Sequence, residues 1–266
     1  MVEVVVRDWS AWAPGVETRE AWHRWAGAPC PLRDDAVPEA RQIPAMLRRR
    51  CTPLSRAMLT AALGATAGAQ ASEVRTVFAS RYGSINESVE LLRNIARDER
   101  MSPSRFTHTV HNAQAGLFSI AAGNRQASSA LSARAESFAC GFLEAATHLH
   151  REPSRPVLLV MGDVTLAEAF ASLIDDPPAV YAVALLLAAD GEGDRVGFEV
   201  RGDAEAAEPG VAAAAIEATR RGWPDAAEFL RWMIAGGDRL DLRGNGRTWS
   251  WQRTRAPRGG LNGIIG

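Results

Sequence analysis

The sequence predicts an α/β fold in which helices cover one mixed, mostly parallel β-sheet. Short strand-like runs alternate with helical segments, as expected for a sheet whose strands are joined by helices. Residues 2–6 are β-branched and residues 155–162 are almost uninterruptedly apolar, so both predict strands buried on two faces. Apolar residues make up 47% of the 266-residue chain, which is enough for a sizeable core.

The first third of the chain predicts helices on either side of a second strand. Residues 18–25 and 55–69 predict helices, while residues 73–80 predict a buried strand. Residues 41–50 lead from a loop into a short helix that ends in three consecutive arginines. Four tryptophans near the N-terminus are expected to cap the core, namely Trp9, Trp12, Trp22 and Trp25.

A further helix is predicted to begin at Ser84 and to run to about residue 97. Ser84 and Glu87 have the spacing of a capping box, in which each side chain satisfies a free backbone N–H of the first turn. Val89, Leu92 and Ile95 recur at helical spacing and predict one apolar face.

Residues 104–150 form the stretch around which the chain is organised. A helix of small and apolar residues is predicted over 113–122, followed by a short buried strand over 127–132. Residues 136–150 predict a second helix, because apolar side chains recur there at spacings of three and four. The side chains on that face are Phe138, Phe142, Ala145 and Leu149.

The C-terminal part predicts a hairpin, a short helical extension and a terminal strand. Residues 181–189 and 196–201 predict the hairpin, joined through the glycine-containing turn at 190–193. Residues 247–253 alternate like a strand, with Trp249 and Trp251 on one face. The remaining segments are a linker at 204–210, helices at 211–221 and 225–235, and a flexible tail at 258–266. We expect residues 1–203 to form the main domain and residues 204–257 to pack on it.

Composition excludes several functional classes. The formal net charge is −1, so no overall field attracts nucleic acid or an anionic membrane. All 30 basic residues are arginine, which excludes chemistry based on a Schiff-base or P-loop lysine. Three isolated cysteines form neither a disulfide framework nor a zinc site, and we expect no cofactor. No signal peptide or membrane-spanning run is recognisable, so a cytoplasmic location is expected.

The acidic and histidine pairs favour structural roles. Asp34–Asp35 and Asp175–Asp176 lie in proline-flanked loops, where such pairs more often form turns than catalytic dyads. His108 and His111 are three residues apart, and His148 and His150 are two apart, without a third ligand at metal spacing.

Two motifs in residues 104–150 resemble the β-ketoacyl synthases of the thiolase-like superfamily. The segment Thr109-Val-His-Asn-Ala-Gln-Ala-Gly116 matches their T-x-x-N-x-x-A-G pattern. Residues 128–137 match the region where a strand ends in A-C-x-S-G and the nucleophilic cysteine begins a buried helix. Counting back along this helix puts Ala135 at the cysteine position. Gly162-Asp163 stands where these enzymes have a glycine–acid pair after the next strand.

The resemblance implies half of a thiolase-like fold without catalytic groups. Condensing enzymes need a cysteine thiolate and two histidines in the second half of their fold. The cysteine position is Ala135, and we expect the chain to be too short for a second half. The chain is most similar to chain-length factors of aryl polyene and xanthomonadin-type pigment biosynthesis, which also end in a W-x-W segment. This implies a non-catalytic partner of a catalytic β-ketoacyl-ACP synthase.

The resemblance also implies which residues serve that partner. Residues 127–132 would pair edge to edge with a strand of the ketosynthase. Phe106, Val110 and Gln114 would line the end of its acyl tunnel and limit chain length. Glu136 fits an inactivated site, because an unpaired buried carboxylate is costly. Further interface or tunnel candidates are His111, Asn112, Ser129 and Leu131.

Two other functions stay open. Arg48, Arg49 and Arg50 are either a solvated turn or a docking patch for an acidic acyl carrier protein, which would make the chain a binding scaffold. A stand-alone acyltransferase would have to use Cys140, which lies inside the predicted helix and away from its N-terminal dipole.

Overall fold

The computed structural model describes residues 1–66, 71–100, 103–174, 177–202 and 221–254. Their strands form one eight-stranded sheet in the order β3-β2-β4-β5-β1-β6-β8-β7. The strands are β1 (Val2–Trp12), β2 (Arg75–Ala79), β3 (Ser128–Leu131), β4 (Val157–Asp163), β5 (Tyr181–Ala188), β6 (Asp194–Gly202), β7 (Arg239–Gly244) and β8 (Arg247–Arg253). The helices are α1 (Arg19–Gly27), α2 (Ala45–Arg48), α3 (Pro53–Ala65), α4 (Ile85–Ala96), α5 (Pro103–Phe106), α6 (Ala113–Ala122), α7 (Ser137–Arg151) and α8 (Asp225–Ala235).

Two hydrophobic clusters lie on opposite faces of the sheet. Helices α3 and α6 cover one face, with Met58 and Phe118 fully buried there. Helices α1, α7 and α8 cover the other face, where Phe142 and Phe229 meet with ring centroids 5.6 Å apart. All seven residues of β4 are buried, as expected for an apolar strand between two helical layers.

The sheet is mixed, but the expectation that it is mostly parallel is wrong. Strand β2 pairs in parallel with β3 and with β4, and the other described strand pairs are antiparallel. The parallel strands are those joined by helical crossovers through α4 to α7. Among the antiparallel pairs, β1 pairs with β5 and β6, and β8 pairs with β6 and β7.

The predicted hairpin of β5 and β6 is wrong, because β1 lies between them. Strand β5 pairs with residues 5–12 of β1, and β6 pairs with residues 2–6 on its other edge. The link at 189–193 therefore crosses β1, and the side chain of Arg7 holds it by donating to the carbonyl of Asp190. Gly193 has φ +137°, and a Cβ there would overlap the carbonyl oxygen of Val6. Glycine at this position permits the close crossing.

The predicted last strand is one arm of a hairpin that the sequence interpretation missed. Strand β7 pairs with β8 through Asn245 and Gly246, both with positive φ. The signal was present, because Asn-Gly between alternating apolar residues is a strong hairpin pattern. Trp249 and Trp251 do lie on one buried face of β8.

The buried carboxylate of Glu228 joins the first turns of helix α8 to the preceding segment and to Arg231 on the same helix. Its oxygens accept hydrogen bonds from Trp223 Nε1 at 2.7 Å and from Arg231 at 2.6 and 2.9 Å. Burial raises the pKa of Glu228, but the hydrogen bonds from Arg231 and Trp223 outweigh burial and bring the pKa below its ordinary value.

The predicted helices before residue 203 are present within a few residues of their expected bounds. Asp175–Asp176, the linker at 204–210, the predicted helix at 211–221 except its last residue, and the tail at 258–266 lie outside the described residues. In the described part of the chain, no helix has the length and apolar character needed to cross a membrane.

Candidate functional site

The turn between β3 and α7 carries Ala135 and is held in a fixed geometry. A single 3₁₀ turn, Arg134–Glu136, precedes α7, and Arg134 has φ +54°, which a non-glycine residue adopts only at a cost. Ser137 fastens the turn, because its Oγ accepts from the N–H of Ala133 at 2.9 Å and donates to the carbonyl of Arg134 at 2.7 Å. Ala135 thus lies in the turn that immediately precedes α7.

The carboxylate of Glu136 is buried but not unpaired, which corrects the expectation of an uncompensated charge. Its Oε1 accepts from the indole of Trp249 and its Oε2 accepts from the side-chain amide of Asn245, each at 2.8 Å. A Cβ at Gly244 would lie 2.7 Å from Glu136 Cγ, so the hairpin backbone packs directly on this side chain. Glu136 therefore joins the C-terminal hairpin to the turn, and it is not exposed to a partner.

Ala135 also lines a cavity of about 270 Å³ at the carboxyl ends of the parallel strands β2 and β4. Crevices at this end of a strand set are the usual ligand sites of α/β sheets. Asp163, at the end of β4, accepts hydrogen bonds from Ser80 Oγ at 2.6 Å, Tyr82 N at 3.1 Å and Tyr181 Oη at 3.3 Å. The predicted glycine–acid pair thus contributes a carboxylate that ties three segments together beneath the cavity.

Cys140 has the properties of a packed thiol rather than a nucleophile. It lies inside α7 and is half-buried. Burial raises its pKa, and the nearby charge of Glu136 raises it further, so the thiol is favoured over the thiolate. This environment does not support a stand-alone acyltransferase that uses Cys140.

Strand β3 is an edge strand, so the expectation that it is buried is wrong. It pairs only with β2 among the described strands, and its residues are half-exposed or exposed. The side chain of Leu131 packs against the core on the α7 side. Ser129 Oγ donates to Glu144 Oε1 at 3.0 Å and lies 3.4 Å from His148 Nε2.

This Ser–His–Glu group lacks the geometry of a hydrolytic triad. The same ring nitrogen, Nε2 of His148, faces both Ser129 and Glu144, the latter at 3.2 Å. A triad needs the serine on one nitrogen and the acid on the other. The described residues also contain no group of three His, Cys, Asp or Glu side chains able to hold a metal ion.

Helices α4 to α6 leave large apolar side chains in solvent. The predicted apolar face of α4 does not enter the core, since Leu92 and Ile95 are 64% and 55% exposed. Phe106 on α5, Val110 after it and Ile120 on α6 are also exposed. A monomeric protein rarely exposes several such side chains on neighbouring helices, so this surface has the character of an interface.

Gln114 is buried in the chain and cannot line a partner's tunnel in this conformation. It is 3% exposed, and its Nε2 donates to Ser84 Oγ at 3.0 Å. This contact also replaces the predicted capping box, because Ser84 lies at the N-cap of α4 without a side-chain capping bond. His111 and Asn112 are exposed, with His111 against Gly83 and Asn112 at the N-cap of α6.

The arginine run lies at the end of α2, with Arg49 and Arg50 exposed and Arg48 half-buried. Partial burial lowers the pKa of His108, and the positive charge of Arg50 lowers it further. Arg50 is therefore electrostatically coupled to the segment between α5 and α6, close to the exposed apolar residues.

Comparison with known proteins identifies the class. The family model for the N-terminal domain of beta-ketoacyl synthases matches residues 22–252, so the chain belongs to this family. A solved ketosynthase (ApeO) in complex with its chain length factor (ApeC) from Xenorhabdus doucetiae contains a similar chain. The match has 27% identity and a TM-score of 0.78, and covers 95% of this chain and 100% of that one.

Other solved structures share the fold at lower identity. The ishigamide ketosynthase/chain length factor matches with a TM-score of 0.61 and 17% identity, over 82% of this chain and 73% of that one. A beta-ketoacyl synthase from Burkholderia phymatum matches with a TM-score of 0.68 and 11% identity, over 96% and 100%. No curated protein matches the chain. The chain therefore has a thiolase-like α/β fold and is similar to chain-length factors of ketosynthase complexes.

Proposed function

We propose that the chain is a non-catalytic, cytoplasmic chain-length factor. It would pair with a catalytic β-ketoacyl-ACP synthase, receive acyl carrier protein in that complex, and shape the end of the acyl tunnel during polyene elongation. The observation that carries this proposal is Ala135, which lies in the turn before α7 and lines the cavity there. The motif spacing puts this alanine at the position where a condensing enzyme needs its cysteine. Similarity to a chain from a ketosynthase–chain length factor complex supports the same conclusion.

The free edge of β3 supplies the first half of the proposed interface. The carbonyls of Ala127 and Leu131 accept from β2, and backbone groups alternate in direction along a strand. Ser128 and Ala130 therefore direct their N–H and C=O groups away from β2, and no described strand pairs with them. Such an edge is a template for a strand from another chain.

The exposed apolar side chains of α4 to α6 supply the second half. Leu92, Ile95 and Phe106 are each more than half exposed. Burial against a partner would remove this apolar surface from water, with a gain of about 25 cal/mol per Å². Edge pairing fixes the register of the two chains, and apolar burial adds affinity.

Co-expression with the ketosynthase encoded in the same gene cluster tests the pairing. Size-exclusion chromatography should show a 1:1 complex. Ala130→Pro should weaken the complex, because it removes an outward N–H to which no described strand of this chain pairs. Ala130→Thr keeps the N–H and serves as the matched control. A chain that stays monomeric beside an active ketosynthase would refute the proposal.

Product analysis tests the tunnel. Phe106→Ala should lengthen the polyene made by the complex, because the smaller side chain opens the tunnel end. Val110→Ala should act in the same direction with a smaller effect. Val200→Ala changes a similarly exposed valine on β6, in the opposite half of the sheet, and should leave the product unchanged. An unaltered product from the Phe106 variant would remove this residue from the tunnel.

The alternative of a carrier-protein scaffold has one supporting observation. Arg49 and Arg50 are exposed and adjacent in sequence, so they can attract an acidic carrier helix. Binding of acyl carrier protein without ketosynthase should then weaken strongly as salt rises to about 0.5 M. Arg49→Glu should abolish this binding and Arg243→Glu, an exposed change on β7, should not. If acyl carrier protein does not bind this chain when ketosynthase is absent, the chain-length-factor proposal is favoured over the scaffold.

A further inference from the structure

Strand β3, at one end of the sheet, lies beside a partly exposed carboxylate. Glu144 on α7 accepts a hydrogen bond from Ser129 at its Oε1, and its side chain is 39% exposed. His148 Nε2 lies 3.2 Å from the same oxygen. The other oxygen, Oε2, has no hydrogen-bond or ion-pair partner among the described residues. Glu144 can therefore accept a further hydrogen bond at the edge where another strand can add.

The surrounding residues do not cancel the charge of Glu144. No arginine in the described part of the chain forms an ion pair with it. Arg75, on the neighbouring strand β2, donates to the carbonyl of His148 at 3.3 Å, but its guanidinium is paired with Glu152. Histidine is neutral at alkaline pH, so the cluster of Ser129, Glu144 and His148 then carries one negative charge.

Pairing of β3 with a second copy of itself would bring two of these carboxylates together. The outward backbone groups belong to Ser128 and Ala130, so an antiparallel pair of identical edges matches Ser128 of one copy with Ala130 of the other. Ser129 then lies opposite its own copy on the two-fold axis, because an isologous interface uses the same patch twice. Opposed side chains point to the same face of the sheet, here the α7 side, so each Glu144 faces the other across two serines.

The charge of Glu144 therefore affects which strand can occupy the edge. Opposed Cα atoms in a non-hydrogen-bonded antiparallel pair are about 4.5 Å apart, which places the two carboxylates roughly 10 Å from each other. Two like charges at this distance repel each other in an interface, and burial of a carboxylate oxygen without a donor adds to the cost. A partner strand with a basic side chain on the α7 side removes both penalties, because that side chain can donate to Glu144 Oε2.

We propose that Glu144 selects the occupant of the β3 edge. It disfavours a second copy of this chain and favours a partner segment that brings an arginine or lysine to the α7 side. The free edge and the exposed apolar helices would otherwise permit self-association, which the like charges of two copies oppose. The choice of a basic partner rests on the proposed function, whereas the exclusion of a second copy does not.

Sedimentation equilibrium of the full chain at about pH 8 tests the exclusion of a second copy. The wild type should remain monomeric at low salt. Glu144→Gln should self-associate at least about tenfold more tightly, because the amide can keep the contact to Ser129 while the charge is removed. Glu192→Gln makes the same change of net charge in the exposed link between β5 and β6, and this control should behave like the wild type.

Salt and a second substitution identify the cause and the place of the contact. Raising the salt to about 0.5 M should strengthen self-association of the wild type but not of Glu144→Gln, since salt screens repulsion between charges. Ala130→Pro added to Glu144→Gln should restore the monomer, because self-pairing needs the outward N–H of Ala130. Circular dichroism verifies that each variant is folded.

Co-expression with the ketosynthase tests the choice of a basic partner. Glu144→Lys should weaken the complex at least about tenfold, because it places a cation opposite the basic side chain of the partner. Glu192→Lys makes the same change of charge far from β3 and should leave the affinity unchanged.

The proposal is overturned by a wild-type dimer at low salt that Ala130→Pro dissociates, or by equal self-association of Glu144→Gln and the wild type. It is also overturned if self-association of Glu144→Gln survives Ala130→Pro, or if Glu144→Lys binds the ketosynthase as the wild type does. A chain that self-associates as expected but binds no ketosynthase refutes the proposed function and leaves the exclusion of a second copy supported. Failures of the two proposals are therefore distinguishable.

Discussion

Trp249→Phe should destabilise the chain more than Trp251→Phe, although both remove the same atoms from buried positions of β8. The two side chains are 2% and 0% exposed. The indole N–H of Trp249 donates to the carboxylate of Glu136 at 2.8 Å, whereas the indole N–H of Trp251 has no hydrogen-bond partner among the described residues. The comparison therefore separates one hydrogen bond from the loss of ring volume.

The expected difference in the free energy of unfolding between the two variants follows from the negative charge of the acceptor, the Glu136 carboxylate. A hydrogen bond to a charged group contributes about 1.5–3 kcal/mol, and Trp249→Phe leaves one oxygen of a buried carboxylate without this donor. Trp251→Phe instead removes an N–H whose unsatisfied burial costs about 1–3 kcal/mol, which offsets part of its lost packing. We expect Trp249→Phe to be the less stable variant by at least about 1.5 kcal/mol.

Urea unfolding followed by far-UV circular dichroism measures both variants without relying on tryptophan fluorescence. A double-mutant cycle of Trp249→Phe with Glu136→Gln should give a coupling energy of about 1–2 kcal/mol. Asn245 is the second donor to Glu136, and Asn245→Gly keeps the left-handed turn while it removes that donor. Equal free energies of unfolding for the two tryptophan variants, or additivity in the cycle, would refute the role assigned to the Glu136 contact.

Three further predictions concern the fold and its charges. Gly193→Ala should cost more than about 2 kcal/mol of stability in a thermal melt, because its Cβ meets the backbone of β1, while Gly202→Ala should be nearly neutral. The pKa of Glu228 is lowered in the folded chain, so its stabilisation is present above its unfolded value of about 4.5 and lost as pH falls through the folded pKa. The stability gap between wild type and Glu228→Gln, from urea titrations between pH 7 and 3, should therefore narrow below about pH 4.5, and a constant gap would contradict this. Arg50→Ala should raise the pKa of His108 in an NMR titration, since one cause of its lowered pKa is removed.

The sequence pattern correctly predicted helices and strands whose apolar residues recur at a single regular spacing and are buried on the expected face. The four apolar side chains of α7 recur at helical spacing, and all four are buried, from Phe138 to Leu149. Strand β4 was recognisable because an apolar run between a proline and a glycine has few other structural solutions. Helix α7 begins at Ser137, one residue from the start that the helical spacing predicts.

The wrong predictions share a physical cause. A local sequence pattern predicts a strand, but it does not predict which other strand or side chain lies beside it. Strands β5 and β6 are consecutive, but each pairs with β1 instead of with the other, and Gly193 permits the crossing. The partners of Glu136 were also hidden, because Asn245 and Trp249 lie more than 100 residues away along the chain. Predictions made from residues close together in the sequence cannot identify such distant contacts.

Fixed and unpartnered groups lie in different parts of this chain. Ser137, Glu136 and the C-terminal hairpin hold the turn at Ala135 in place. The opposite condition holds on α4 and β3, where apolar side chains and backbone groups have no partner among the described residues. Association costs several kcal/mol, and half-exposed side chains contribute about 1 kcal/mol each, so apolar burial alone gives a weak complex. In the proposed complex, pairing along β3 acts together with the helical surface, which is why Ala130→Pro is the sharper test of the partner than any single apolar substitution.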